Sequence, residues 1–358
     1  MKSQKLLLLI LIIFVTSGCT ISLGKKKTTN DLGGIYLSYE KGNNWQTLAY
    51  LMTADGTRPS FQGVNVNFLK MDPTDNLALY AGTTDSLYYS YNGGQGWFKT
   101  LEGLGNIKDL DIDPKNHCNI YAAVDNRLYQ TTDCGRFWDY KLIEQGNPQI
   151  INTLAIDSYS PENIYVGTAN NGLFKSEDGG YSWRNLKYYD SPVVKILVSD
   201  QDTRIIYVIT LNSGTFRSLD AGATWEEITK NIQSAMEDDK IDKNCGNVKA
   251  YKNLIFDPKN NSRLLYATNC LMETTDQGNS WTQIKLLTKP GDTNIYGLAI
   301  SYENNQEIYY GTKTTLYRTE DNGQNWITKD LPTLRTAGNL LTDPINPTLL
   351  YLGQNNLK

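Results

Sequence analysis

Apolar positions along the chain fall in short runs, such as Leu173-Phe174 and Leu316-Tyr317, each bounded by turn-forming residues. Runs this short between turn formers predict brief β-strands. They recur in step. A leucine opens each unit (Leu69, Leu110, Leu154, Leu197, Leu254, Leu298, Leu340), and a tyrosine follows 10 to 12 residues later (Tyr80, Tyr121, Tyr165, Tyr207, Tyr266, Tyr309, Tyr351). A further apolar run leads into an octapeptide, Ser/Thr-x-Asp-x-Gly-x-x-Trp. It holds every tryptophan of the chain: Trp45, Trp97, Trp138, Trp183, Trp225, Trp281 and Trp326. Its aspartates are Asp133, Asp178, Asp220, Asp276 and Asp321, while two copies are degenerate and carry Asn92 and Glu40 there. Each unit of about 45 residues thus predicts four strands, A to D. Strand A carries the leucine, B the tyrosine, C precedes the octapeptide turn, and D begins near the tryptophan.

The octapeptide has the composition of a tight C–D hairpin. Glycine takes up φ > 0 at low cost. Ser/Thr and Asp side chains hydrogen-bond neighbouring backbone groups and hold the turn. The tryptophan then offers roughly 150–250 Å² of surface to glue sheet to sheet. Aspartates spread around a ring by repetition cannot converge on one substrate, so these residues are assigned to the scaffold.

Seven four-stranded units predict an all-β, seven-bladed β-propeller. The ends of the repeat agree with a ring. It begins with a C–D half-unit (33–48) and finishes with an A–B half-unit (337–353). Pairing the N-terminal C–D strands with the C-terminal A–B strands completes the seventh blade and removes open edges. Residues 33–358 are therefore read as one domain.

The segment before the repeat starts with Lys2 and Lys5, then an apolar run from Leu6 to Val15. That run is shorter than the ~20 residues a bilayer requires and fits an export signal over residues 1–18. The sequence Thr16-Ser17-Gly18-Cys19 resembles a bacterial lipobox, with Thr16 where leucine is more usual. The resemblance implies a lipidated Cys19 as the mature N-terminus and a polar tether over 19–32. The expected location is the bacterial cell envelope, on the cell surface or periplasmic side, with membrane contact through the lipid anchor alone. The formal net charge of the whole chain is −4, and removing Lys2 and Lys5 leaves 32 − 38 = −6. An acidic balance argues against nucleic acid as a partner.

The octapeptide is similar to the BNR or Asp-box repeat, and the likeness covers essentially all of 33–358. Asp-box propellers include sialidases, xyloglucan-active glycoside hydrolases, sortilin-type receptors and photosystem II assembly factors. The repeat style resembles the glycoside hydrolase and sortilin groups, and the single ring is closer in size to the assembly factors. Such a motif marks a scaffold rather than an activity.

Candidate chemistry is sparse. Sialidases carry a Phe/Tyr-Arg-Ile-Pro motif and an arginine triad. Here the nearest string is Thr57-Arg58-Pro59, and Arg217 and Arg318 stand at ends of strand C, where a surface role is expected. A glycosidase needs two carboxylates about 5 to 9.5 Å apart across a sugar, and spacing alone nominates no pair. The only histidine, His117, lies in an A–B turn without metal-ligand spacing around it. Gly-rich phosphate loops and serine-hydrolase motifs are missing from the sequence. No catalytic residue, metal or cofactor is assigned. Of the three pairings open to Cys118, Cys134, Cys245 and Cys270, blade topology selects 118–134 and 245–270, each pair sharing one blade.

The lengths of the connections point to a binding face. Trp-to-next-Leu spacings are 13 to 17 in five units but 24 after Trp45 and 29 after Trp225. These insertions are expected on the face of the D–A and B–C loops, opposite the octapeptides, where a rigid scaffold presents binding residues. The first offers Tyr50, Arg58 and Phe61. The second offers Met236, Glu237, Asp238 and Asp239, and Tyr188 and Tyr189 lie in another connection. The functional expectation is a monomeric, non-catalytic envelope lipoprotein whose ring binds or assembles a protein or glycan. The alternative is a surface glycoside hydrolase acting on polysaccharide.

Overall fold

The computed structural model describes residues 33–141, 149–250 and 253–355. The export signal, Cys19 and the tether lie outside the described residues.

Seven antiparallel four-stranded sheets form a seven-bladed β-propeller. Blades 1 to 6 span 68–100, 107–141, 151–188, 193–227, 253–284 and 297–330. Blade 7 joins the two ends of the fold. Strand Gly34–Ser38 pairs antiparallel with Leu350–Asn355, Tyr36 opposite Leu352, so the order is D-C-B-A with the chain ends interleaved.

Each octapeptide makes the same turn. Its fourth and fifth residues both have positive φ, as in Gly179 (72°) and Gly180 (88°) or Asn322 (55°) and Gly323 (87°). Two consecutive left-handed residues match the twist of a hairpin. The fifth is always glycine, and the fourth also takes Lys41, Cys134, Ala221 and Gln277. In blade 3 Ser176 Oγ donates to Asp178 Oδ1 (2.8 Å) and accepts from Gly180 N (2.8 Å), while Asp178 Oδ1 accepts from Ser182 N (2.8 Å). The Ser182 hydroxyl and main chain hold the Asp178 carboxyl down to about 2.

The strand-B tyrosines are buried, and two of them link blade to blade. Tyr121 Oη donates to Gly179 O (3.0 Å) and Tyr207 Oη to Gln277 O (3.0 Å), each in an octapeptide turn of another blade. Arg217 departs from its expected surface role. It is buried, donates to Gln277 O (2.8 Å) and Asn279 Oδ1 (2.9 Å), and pairs with Glu226 (2.6 Å), so it fastens blade 4 to blade 5. Arg318 is half-buried and pairs with Glu320 (2.9 Å).

Two landmarks shift. In blade 4 Ile196, opposite Val208, holds the register that Leu154, opposite Val166, holds in blade 3, so Leu197 stands one residue late. The tryptophans are also not equally buried. Trp97 is 0% and Trp281 1% exposed, whereas Trp138, Trp183, Trp225, Trp326 and Trp45 are half-buried. Blades diverge towards the rim, and only where an insertion fills that wedge is the indole sealed.

Candidate functional site

The insertions do that filling, which corrects their expected position. The first runs along the outer edge of blade 1: Trp97 N donates to Tyr50 O (3.0 Å) and Met52 N to Trp97 O (2.8 Å). Phe61 is buried, stacked on Tyr88 (4.3 Å between centroids) and edge-on to Trp97. The second contains helix α1 (Thr229–Glu237), whose Ile232 and Ala235 pack with Ile228, Ile241 and Cys245 over Trp281. Asn231 donates to Gly278 O (2.9 Å), and Asp242 N donates to Gln283 Oε1 (2.8 Å) on strand D of blade 5. Both insertions thus lie on the rim and not over the channel mouth.

The nominated residues divide accordingly. Phe61 and Tyr189 are core, Tyr189 sitting against Phe216 (4.8 Å) and Trp225. Met236 packs half-buried against the α1 cluster. Tyr50, Arg58, Tyr188, Glu237, Asp238 and Asp239 are exposed, on separate stretches of the rim. They form no single site.

The cysteines are joined 118–134 and 245–270. The second disulfide pins the α1 insertion to blade 5. The first ties the A–B turn of blade 2 to its octapeptide turn and brings His117 beside both sulfurs, with the possible ligand atoms within 4.8 Å of one another. The expected 118–134 pairing already implied that Cys134 meets the turn of His117 and Cys118. As a disulfide the sulfurs are not thiolates, which is the form that ligates a metal.

Sequence reasoning also missed the channel. Every strand A is an inner edge whose outward N–H and C=O groups need partners. Blades 1 to 3 supply them with polar and charged side chains, and blade 7 does so through Asn339 and Thr342. Lys70 Nζ donates to Leu110 O (3.0 Å) and Asp111 Oδ1 (2.6 Å). Asp109 Oδ2 accepts from Thr153 Oγ1 (2.8 Å) and Leu154 N (3.0 Å), and Asp111 Oδ2 accepts from Ile156 N (2.8 Å). Asn67 and Asn152 donate to Ile107 O (2.9 Å) and Val193 O (3.0 Å). At the strand-A position of Lys70 and Asp111 blades 3 to 7 carry Ala155, Leu197, Ile255, Ala299 and Leu341, and at the position of Asp109 and Lys195 blades 5 to 7 carry Asn253, Gly297 and Asn339. The charged side chains of these two positions therefore fall in blades 1, 2 and 4.

Lys195 on strand A of blade 4 is the exception to this pairing. Among the described residues it has no hydrogen bond or ion pair, and burial in the ring, with the nearby Lys70 charge, lowers its ammonium to about 8 against the pull of Asp109. Burial raises the Asp109 carboxyl, and Lys70 together with the groups on blade 3 opposes the rise. The signal in the sequence was lysine on strand A at Lys70 and Lys195, visible only once the register was known. Chemically, Lys195 offers an open donor for an anion. Asp109 and Asp111 offer little general acid–base capacity, because blade 3 and Lys70 occupy their oxygens. A separate pocket of about 360 Å³ lies beside Cys270, Gln283, Lys285 and 286–290. No helix among the described residues is long and apolar enough to cross a membrane.

No protein family matches the sequence, and no curated protein does. Solved structures do resemble the ring. The xyloglucanase of Xanthomonas campestris is 16% identical with a TM-score of 0.64, over 87% of this chain and 52% of that one. This chain spans about half of that enzyme's length. YCF48 bound to a D1 peptide is 13% identical with a TM-score of 0.59, over 82% and 94%. The extracellular domain of the two-component system BT4673 from B. thetaiotaomicron is 17% identical with a TM-score of 0.60, over 82% and 37%. At these identities the likeness is one of fold.

Proposed function

We propose that the ring is a non-catalytic binding or assembly scaffold of the cell envelope, exported and held to a membrane through a lipid on Cys19. The observation that carries this reading is the state of the channel carboxylates. Asp109 and Asp111 are consumed in closing the inner edge of blade 3, so the most conspicuous acidic pair is structural. A ring stitched blade to blade through main-chain turns is suited to presenting fixed surfaces. A relative in fold whose length this ring covers almost fully is bound to a peptide, which supports binding as the role of a single ring.

The test is crosslinking in native envelopes, with parallel incubation of the purified chain with polysaccharides. Retention of a defined partner, with no new reducing ends, supports the scaffold. Release of reducing ends that depends on a carboxylate overturns it in favour of a glycoside hydrolase. Cys19→Ser is expected to shift the chain to the soluble fraction or leave it unprocessed, and unchanged membrane partitioning removes the anchor from the proposal.

A further inference from the structure

Three aromatic rings stand almost free on the octapeptide face of blades 2 and 3: Phe137 (80% exposed), Tyr159 (76%) and Tyr181 (79%). Phe137 and Tyr181 belong to octapeptide turns, and Tyr159 to the A–B turn of blade 3. Cations sit against two of them. Lys115 lies 5.1 Å from the centre of the Tyr159 ring and donates to Tyr159 O, and Lys141 lies 4.1 Å over Tyr181. Arg136 adjoins Phe137. None of these three cations is in an ion pair among the described residues. The 118–134 disulfide fixes the turn bearing Lys115 relative to the turn bearing Arg136 and Phe137.

Exposed rings held in place have already met the ordering cost of binding. The main-chain donors of the two octapeptide turns are spent: Arg136 N and Phe137 N donate to Asp133, and Tyr181 N and Ser182 N to Asp178. Beside these rings the free positive charges are Lys115, Arg136 and Lys141, while the carboxylates of the same turns are engaged, Asp133 and Asp178 by the main chain and Glu177 by Lys175 and Arg184, which leaves little for a peptide backbone to bond. A pyranose has an apolar C–H face that stacks on a ring and, in a uronic acid, a carboxylate at its edge for the adjacent cation. The chain is acidic overall, so a polyanion is attracted to this patch and repelled elsewhere.

We propose that this face of blades 2 and 3 binds an acidic polysaccharide, its sugars stacked on Phe137, Tyr159 and Tyr181 and its carboxylates paired with Lys115, Arg136 and Lys141. The inference rests on the scaffold reading and names its ligand class.

The experiment titrates the full chain in detergent with polygalacturonate, polyglutamate, neutral dextran and phosphatidylglycerol vesicles. Polygalacturonate is expected to bind, more weakly as salt rises. Tyr181→Ala, Phe137→Ala and Lys141→Gln should each weaken it about tenfold, the size of a binding hot spot, with melting temperatures unchanged. Gln324→Ala on blade 6 should have no effect. No binding of polygalacturonate overturns the proposal, as does binding of polyglutamate or vesicles that is equally sensitive to the same substitutions. Polygalacturonate binding that ignores every substitution overturns this surface but leaves the scaffold reading standing. Shortening of the polymer removes the scaffold reading itself.

Discussion

The octapeptide turns of blades 3 and 6 are the same piece of chemistry put to different use. In both, the first hydroxyl donates to the aspartate (2.8 Å in blade 3, 2.7 Å in blade 6). In both, the aspartate accepts from the main chain four residues on (2.8 Å each), and the fifth residue is a left-handed glycine. The sixth residue enters this network through its main chain alone, and its side chain has no part in it. It is Tyr181 in blade 3 and Gln324 in blade 6, exposed in each case. The contrast extends around the ring. Blades 1 to 3 expose Tyr91, Phe98, Phe137, Tyr140, Tyr159, Tyr181 and Tyr188, while blades 4 and 5 expose no aromatic among the described residues. The turn is invariant because its polar groups must be satisfied, and the side chains outside that network are free to diverge.

If the scaffold is common to both arcs, cutting it anywhere should damage both. Deletion of 336–358 removes strands A and B of blade 7 and leaves Gly34–Ser38 without its partner. The largest effect is expected here: aggregation or loss of a cooperative melt, because unpaired edges template association. A soluble truncation with the parental melting curve breaks the closed ring.

Burial then grades the tryptophans. Trp281→Ala should cost about 3–5 kcal/mol, since the indole is sealed under α1. Trp183→Ala should cost roughly half of that or less, because the ring keeps one side in solvent. Equal costs in denaturant titrations would mean that the insertions add nothing to the packing.

The channel supplies a test of opposite sign. The folded state holds Lys195 at about 8, below its ordinary 10.5, so it binds that proton more weakly than the unfolded chain. The charged amine therefore destabilises the fold below pH 8, and the penalty fades as pH rises from 8 to 10.5. Lys195→Met should stabilise the protein by about 1–2 kcal/mol at pH 7, allowing for screening by channel water, and by nothing near pH 10.5. A destabilised variant at pH 7 would show that Lys195 is paired.

The smallest difference expected is between the two turns themselves. Asp178→Asn and Asp321→Asn should lower the melting temperature by similar amounts. Both carboxyls sit near 2, below the usual range, held mainly by the Ser182 hydroxyl in one and the Asn325 main chain in the other. Their contribution is present above pH 4 and is lost as pH falls through 2, so the variants should converge with the parent in acid. A large asymmetry would mean that the turns are not equivalent scaffold.

Much of the fold was legible because the repeat writes it into local chemistry. Strand order, the four-stranded unit and the split seventh blade follow from the recurring leucine, tyrosine and octapeptide. The nominated binding residues were less legible. Connection length identified both insertions, but length does not say which way a loop turns, and both turn down the rim. Phe61 and Tyr189 read as binding aromatics and are core, because a wedge between diverging blades needs large apolar groups as much as a ligand does.

What the sequence by itself determined is everything carried by short-range bonding: the turn residues, the strand periodicity and the number of blades. Three things were decided only in the closed ring. These are the capture of Asp109 and Asp111 by blade 3, the unpaired state of Lys195, and the clustering of Lys115 and Lys141 with Tyr159 and Tyr181. The first and the last join residues about 40 or more positions apart along the chain, and the second depends on which charges the ring brings near Lys195. Such meetings depend on how one sheet packs against the next, and no local pattern encodes that.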